Sequence, residues 1–99
     1  MSEDPVVALV LVPAAEAEPA ARALRAEGFL VGPHVGISMA ITAPRRSFER
    51  VFGTRVEDSA EGGWVAEGGT RELPLRQLPP VLAERVETVT FEEPGETTG

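Results

Sequence analysis

Apolar positions along the chain fall into short blocks with two different spacings, and these order themselves into strands and helices. The first block, Pro5 to Pro13, is an unbroken run of β-branched and aliphatic residues bounded by prolines. Such a run predicts a buried strand in the middle of a sheet rather than a helix. In the following EAEPAARALRAEG, Ala17, Ala20, Ala21 and Leu24 recur at i, i+3, i+4 and i+7. That spacing predicts an amphipathic helix with Pro19 in its first turn and Gly28 as its stop. Its stripe is mostly alanine, so the helix can lie close to a sheet, with Glu18 and Arg22 paired on the wet side.

Phe29 to Val31 reads as a short second strand, and Gly32-Pro33-His34 as the turn that reverses the chain into Val35 to Thr42. Alternation there sets Val35, Ile37, Met39 and Ile41 on a core face and Gly36, Ser38, Ala40 and Thr42 on the other. Pro44 begins a second helix in which Phe48, Val51 and Phe52 share a side and Gly53 ends the run, after which Thr54 to Glu57 is extended. Between Asp58 and Leu78, glycine pairs bracket Trp64 and prolines interrupt any helix, predicting a flexible hairpin and an extended ELPL segment. LPPVLAERV gives one or two helical turns from Pro80, and Val86 to Phe91 alternates as a last strand.

Strand, helix, hairpin, helix, strand predicts an α+β fold of ferredoxin-like (split βαβ) type, an antiparallel sheet with two helices on one face. The domain spans 1–91, and 92–99 is an acidic tail without large apolar groups, expected to be flexible. In a two-layer fold the far sheet face should be polar. The first strand instead carries Val6, Ala8, Val10 and Val12 on one side and Val7, Leu9 and Leu11 on the other. The second set needs a cover: the chain's own Asp58 to Arg85 segment, a second copy, or a different protein.

Composition narrows the function classes. With 99 residues there is room for one small core, and 42% hydrophobic against 25% charged residues is a globular balance. Sixteen acidic against nine basic residues, net −7, oppose nucleic acid and anionic lipid as partners. The longest apolar run is too short to span a bilayer, which takes about 20 residues, and the acidic Met1-Ser2-Glu3-Asp4 is unlike a signal peptide, so the expected location is cytoplasmic. No cysteine and a lone histidine, His34, argue against a metal centre, and the EDSAE run lacks calcium-loop spacing. His34 with Ser38 or Ser47 and Asp58 could be written as a triad, but His34 sits in a Gly-Pro turn. The acidic pairs Glu57/Asp58 and Glu92/Glu93 lie in loops and carry no signal of burial. Arg45 and Arg46 are expected to face solvent. The chain is therefore expected not to be an enzyme and to need no cofactor. Trp64, the single tryptophan, is either an interface anchor on a glycine-rich arm or folds back on its own sheet.

From Leu24 onward the chain resembles the activation propeptides of sedolisin (pro-kumamolisin type) serine peptidases, and more distantly the ferredoxin-like propeptides of subtilisins. The features that carry this are LRAEGFLV, VGISMAITAP, the helix SFERVFG with the extended TRVED, and the closing LPLRQLPPVLAERVETVTF. Phe48, Phe52 and Gly53 match the phenylalanine-rich helix and its stop, and Leu78, Pro79 and Val86 the proline turn before the final strand. The resemblance implies a folding chaperone, inhibitor or recruiter of a subtilisin- or sedolisin-type serine peptidase, acting in trans as a freestanding or excised module. Its sheet, through Val7, Leu9 and Leu11 with Trp64, would meet the protease, and Phe91, Glu92, Glu93 and Pro94 would lie in the substrate cleft as an added strand. The alternative is a ferredoxin-like domain that self-associates through the sheet.

Overall fold

The computed structural model describes residues 5–59 and 62–92. β1 (Pro5–Leu11) is the central strand expected from its proline-bounded run. On one side it pairs antiparallel with β3 (Ser38–Pro44), Leu9 opposite Ala40, and on the other with β6 (Thr88–Phe91), Leu9 opposite Thr90. The two-residue β2 (Leu30–Val31) adds outside β3, so the four-stranded sheet has the order β2-β3-β1-β6. The class is α+β with an antiparallel sheet, and three helices accompany the strands.

α1 (Ala14–Ala26) buries Ala20, Ala21 and Leu24, the stripe its spacing predicts, and Glu18 and Arg22 approach to 3.8 Å on the exposed side. The helix ends in two nested hydrogen bonds: Gly28 N–H donates to the Arg25 carbonyl and Phe29 N–H to that of Leu24. Gly28 takes a φ of +101°, which this ending requires and which only glycine adopts at no steric cost. α2 (Arg45–Phe52) is shorter and more sharply amphipathic, burying Phe48, Val51 and Phe52 and stopping at Gly53. Phe48 is the hub of the aromatic core, its ring centroid 5.0 Å from Phe29, 6.0 Å from Phe52 and 5.8 Å from Phe91. These helix residues join Val6, Ala8, Val10, Met39, Ile41, Val89 and Phe91 in one buried cluster.

Residues 56–59 and 62–85 hold more regular structure than their glycines and prolines suggest. β4 (Val56–Asp58) and β5 (Trp64–Ala66) form a separate hairpin. The Arg71 guanidinium fastens it, donating to the carbonyls of Trp64 and Gly62. Residues 71–73 then run along the outer edge of β6: Phe91 N–H donates to the Arg71 carbonyl and Leu73 N–H to that of Val89, both at 2.8 Å. α3 (Pro80–Ala83) is the single turn expected from Pro80. Arg85 just beyond it forms an ion pair with Glu16 of α1.

The third strand departs from expectation at its start. Val35 and Ser38 exchange two main-chain hydrogen bonds across a tight turn whose central residues are Gly36, at φ +64°, and Ile37. This is the geometry of a two-residue hairpin loop with glycine at its first central position. The reversal thus lies at 35–38, not at Gly32-Pro33-His34, and β3 begins at Ser38. Val35 and Ile37, expected in the core with Met39 and Ile41, are 69% and 61% exposed at the turn.

Candidate functional site

β1 has two unlike sides. Val6, Ala8 and Val10 are fully buried, whereas Val7, Leu9 and Leu11 are half-buried and belong to no part of the core cluster. The segment considered as their cover goes elsewhere: Ala66, Leu73, Leu78 and Leu82 are buried in the same cluster as Val6 and Val10, which leaves out Val7, Leu9 and Leu11. Among the described residues the Val7, Leu9 and Leu11 side therefore faces outward, flanked by the short residues of its neighbours.

Register sets out this open face in three rows. Leu30, Thr42, Val7 and Glu92 make the first, with Glu92 N–H donating to the Val7 carbonyl. Ala40, Leu9, Thr90 and Glu72 make the second, Glu72 pairing with Thr90 across the edge of β6. Ser38, Leu11 and Thr88 make the third. Threonine, serine and alanine beside each aliphatic side chain keep the surface flat and leave the Val7, Leu9, Leu11 ridge at its centre. Leu30, 73% exposed, extends it toward β2. A contiguous aliphatic strip with a polar margin is an arrangement also found at protein-binding faces.

The other residues singled out in the sequence are dispersed. Trp64 is half-buried and packs against the core cluster from β5, apart from the Val7, Leu9, Leu11 ridge in the strand order. The Phe91 side chain is buried against Phe48, so the stretch available to a cleft starts at Glu92, which is exposed. Glu93 and Pro94 lie outside the described residues.

His34 Nε2 is 2.9 Å from the Val12 carbonyl, and the Ser38 hydroxyl donates to the Val35 carbonyl at 3.5 Å. Both groups thus meet main chain, and no hydrogen bond joins them into a relay. A recess of about 530 Å³ beside Leu73 has exposed charged lining groups, Glu67, Glu72 and Arg76, and no buried polar side chain among its lining residues to orient a small molecule. Among the described residues no group of three or more His, Asp or Glu could hold a metal ion, and no helix is long and apolar enough to cross a membrane.

Sequence reasoning found the aliphatic ridge from alternation in β1 but missed Glu72, Leu30 and the Val35–Ile37 tip. The glycine in Val35-Gly36-Ile37-Ser38 was the available signal for the tip, since a Gly-X pair between apolar residues marks a two-residue turn. Nothing local announces Glu72, whose place depends on pairing with a strand far along the chain. Comparison with protein-family models, with curated proteins and with solved structures returns no match.

Proposed function

We propose that the chain is a protein-binding module that works by occlusion, its open sheet face docking on a serine peptidase of subtilisin or sedolisin type as inhibitor, folding chaperone or recruiter. The observation that carries this reading is the outward Val7, Leu9, Leu11 ridge on the central strand, with Glu92 at its margin. The strand order β2-β3-β1-β6, with the longer helices following β1 and β3, supports a ferredoxin-like arrangement, the one the propeptide resemblance implies. Docking buries the ridge and directs the segment after β6 toward the cleft, where an extended chain binds through main-chain hydrogen bonds. No residue of the module acts on the substrate.

The test is a titration of a subtilisin-type and a sedolisin-type peptidase with the protein, each at its working pH. Stoichiometric loss of activity is expected. Ending the chain at Glu92 should raise the inhibition constant about tenfold or more while leaving the melting temperature unchanged, since residues 93–99 supply no large apolar group. Full activity of both peptidases beside an intact, folded protein counts against the reading.

A further inference from the structure

Charge on the open face is one-sided. From Leu30 of β2 across β3 to the ridge of β1, the register positions hold only aliphatic, hydroxyl and alanine side chains. Among the described residues, the ionisable groups at these register positions lie along the β6 side, and both are carboxylates: Glu92 in line with Val7, and Glu72 beside Thr90. Both residues are exposed, and neither has an ion pair among the described residues. Covering the ridge with a rigid protein surface strips water from these carboxylates, which is costly unless the covering surface brings cations.

We infer that the face selects a partner protein whose contact surface is aliphatic at its centre and carries arginine or lysine along the side meeting β6, and that it rejects a second copy of this chain. Two copies meeting face to face are related by a two-fold axis in the plane between the sheets. An axis across the strands sets β6 against β6 and carboxylates against carboxylates. An axis along the strands sets β6 against β2, where Leu30 and Gly32 offer no cation. The net charge of −7 adds long-range repulsion to either arrangement. This inference rests on the proposed docking role of the open face but not on the partner being a peptidase.

The chain itself can serve as the probe. A Glu72→Arg, Glu92→Arg double variant keeps the aliphatic centre and reverses the margin, so in the axis-across-strands arrangement it supplies the chemistry the natural face requires. By sedimentation equilibrium at low salt, each protein alone should be a monomer and their equimolar mixture should form a one-to-one pair. The pair should weaken about tenfold or more between about 0.05 and 0.5 M salt, and Leu9→Asp in either chain should abolish it. Should the double variant unfold, Glu92→Arg alone gives a weaker version of the same result. A natural chain that dimerises alone and is made monomeric by Leu9→Asp overturns the inference, as does a mixture of folded proteins that stays monomeric or pairs without regard to salt. Pairing without peptidase inhibition leaves this inference standing and removes the peptidase; inhibition without pairing does the opposite.

Discussion

Leu9 and Val10 are neighbours with opposite fates. Val10 is fully buried between Met39 and Val89 in the register, so an aspartate there places a carboxylate in the core with no partner. Val10→Asp should leave no cooperative thermal transition. Leu9→Asp points the same charge outward from a half-buried position, and its far-ultraviolet circular dichroism should match that of the natural chain while docking is lost. A melt that abolishes both variants would show that the ridge is covered after all. Phe48, at the centre of the ring cluster, should cost about 3–5 kcal/mol on truncation to alanine by urea denaturation. Gly53 is constrained in a different way. Its φ is +66°, and an added methyl would run into the Gln77 Cγ and sit 3.0 Å from the Gln77 Cβ, which is fixed to the backbone and cannot swing aside. Gly53→Ala should therefore cost more than the left-handed backbone alone, which is about 1–2 kcal/mol, by urea denaturation.

At the scale of elements, polar contacts tie α2 to its surroundings. The Glu49 carboxylate accepts the Val56 N–H at 2.9 Å and positions the start of β4, while the Arg50 guanidinium donates to the Glu27 carbonyl at the end of α1. The β4–β5 hairpin lies outside the main sheet and is held partly through Arg71. Arg71→Ala should speed amide exchange at Val56 and Ala66 while leaving the amides of β1 as protected as before. The same elements explain what could be read in advance. α1, α2 and β1 were legible because each repeats its spacing over enough residues to distinguish a helix from a strand, and the ridge came with β1. Val35 and Ile37 continued the alternation of Met39 and Ile41, so the strand looked longer than it is and the turn was placed too early. Residues 71–73 are too few to show a period, and they line the sheet only because β6 offers an edge to bond, a long-range fact invisible in a local window. Glu72 was missed for that reason.

For the whole molecule, the decisive pairing is β1 with β6, which joins Val10 to Val89. The most aliphatic strand of the sheet and this flanking partner are far apart in sequence, Leu11 lying opposite Thr88. Without β6, one edge of β1 has no hydrogen-bond partner, and residues 71–73 have no edge to line. Contacts this distant make folding slow and all-or-none rather than stepwise. A chain stopped at Glu87 should therefore be found in the pellet, because a bare aliphatic edge recruits further strands. A monomeric fragment of that length with native-like sheet would show that β6 is dispensable. The closed sheet and one without β6 thus differ in kind: losing that one strand would turn a self-contained fold into a template for its own aggregation.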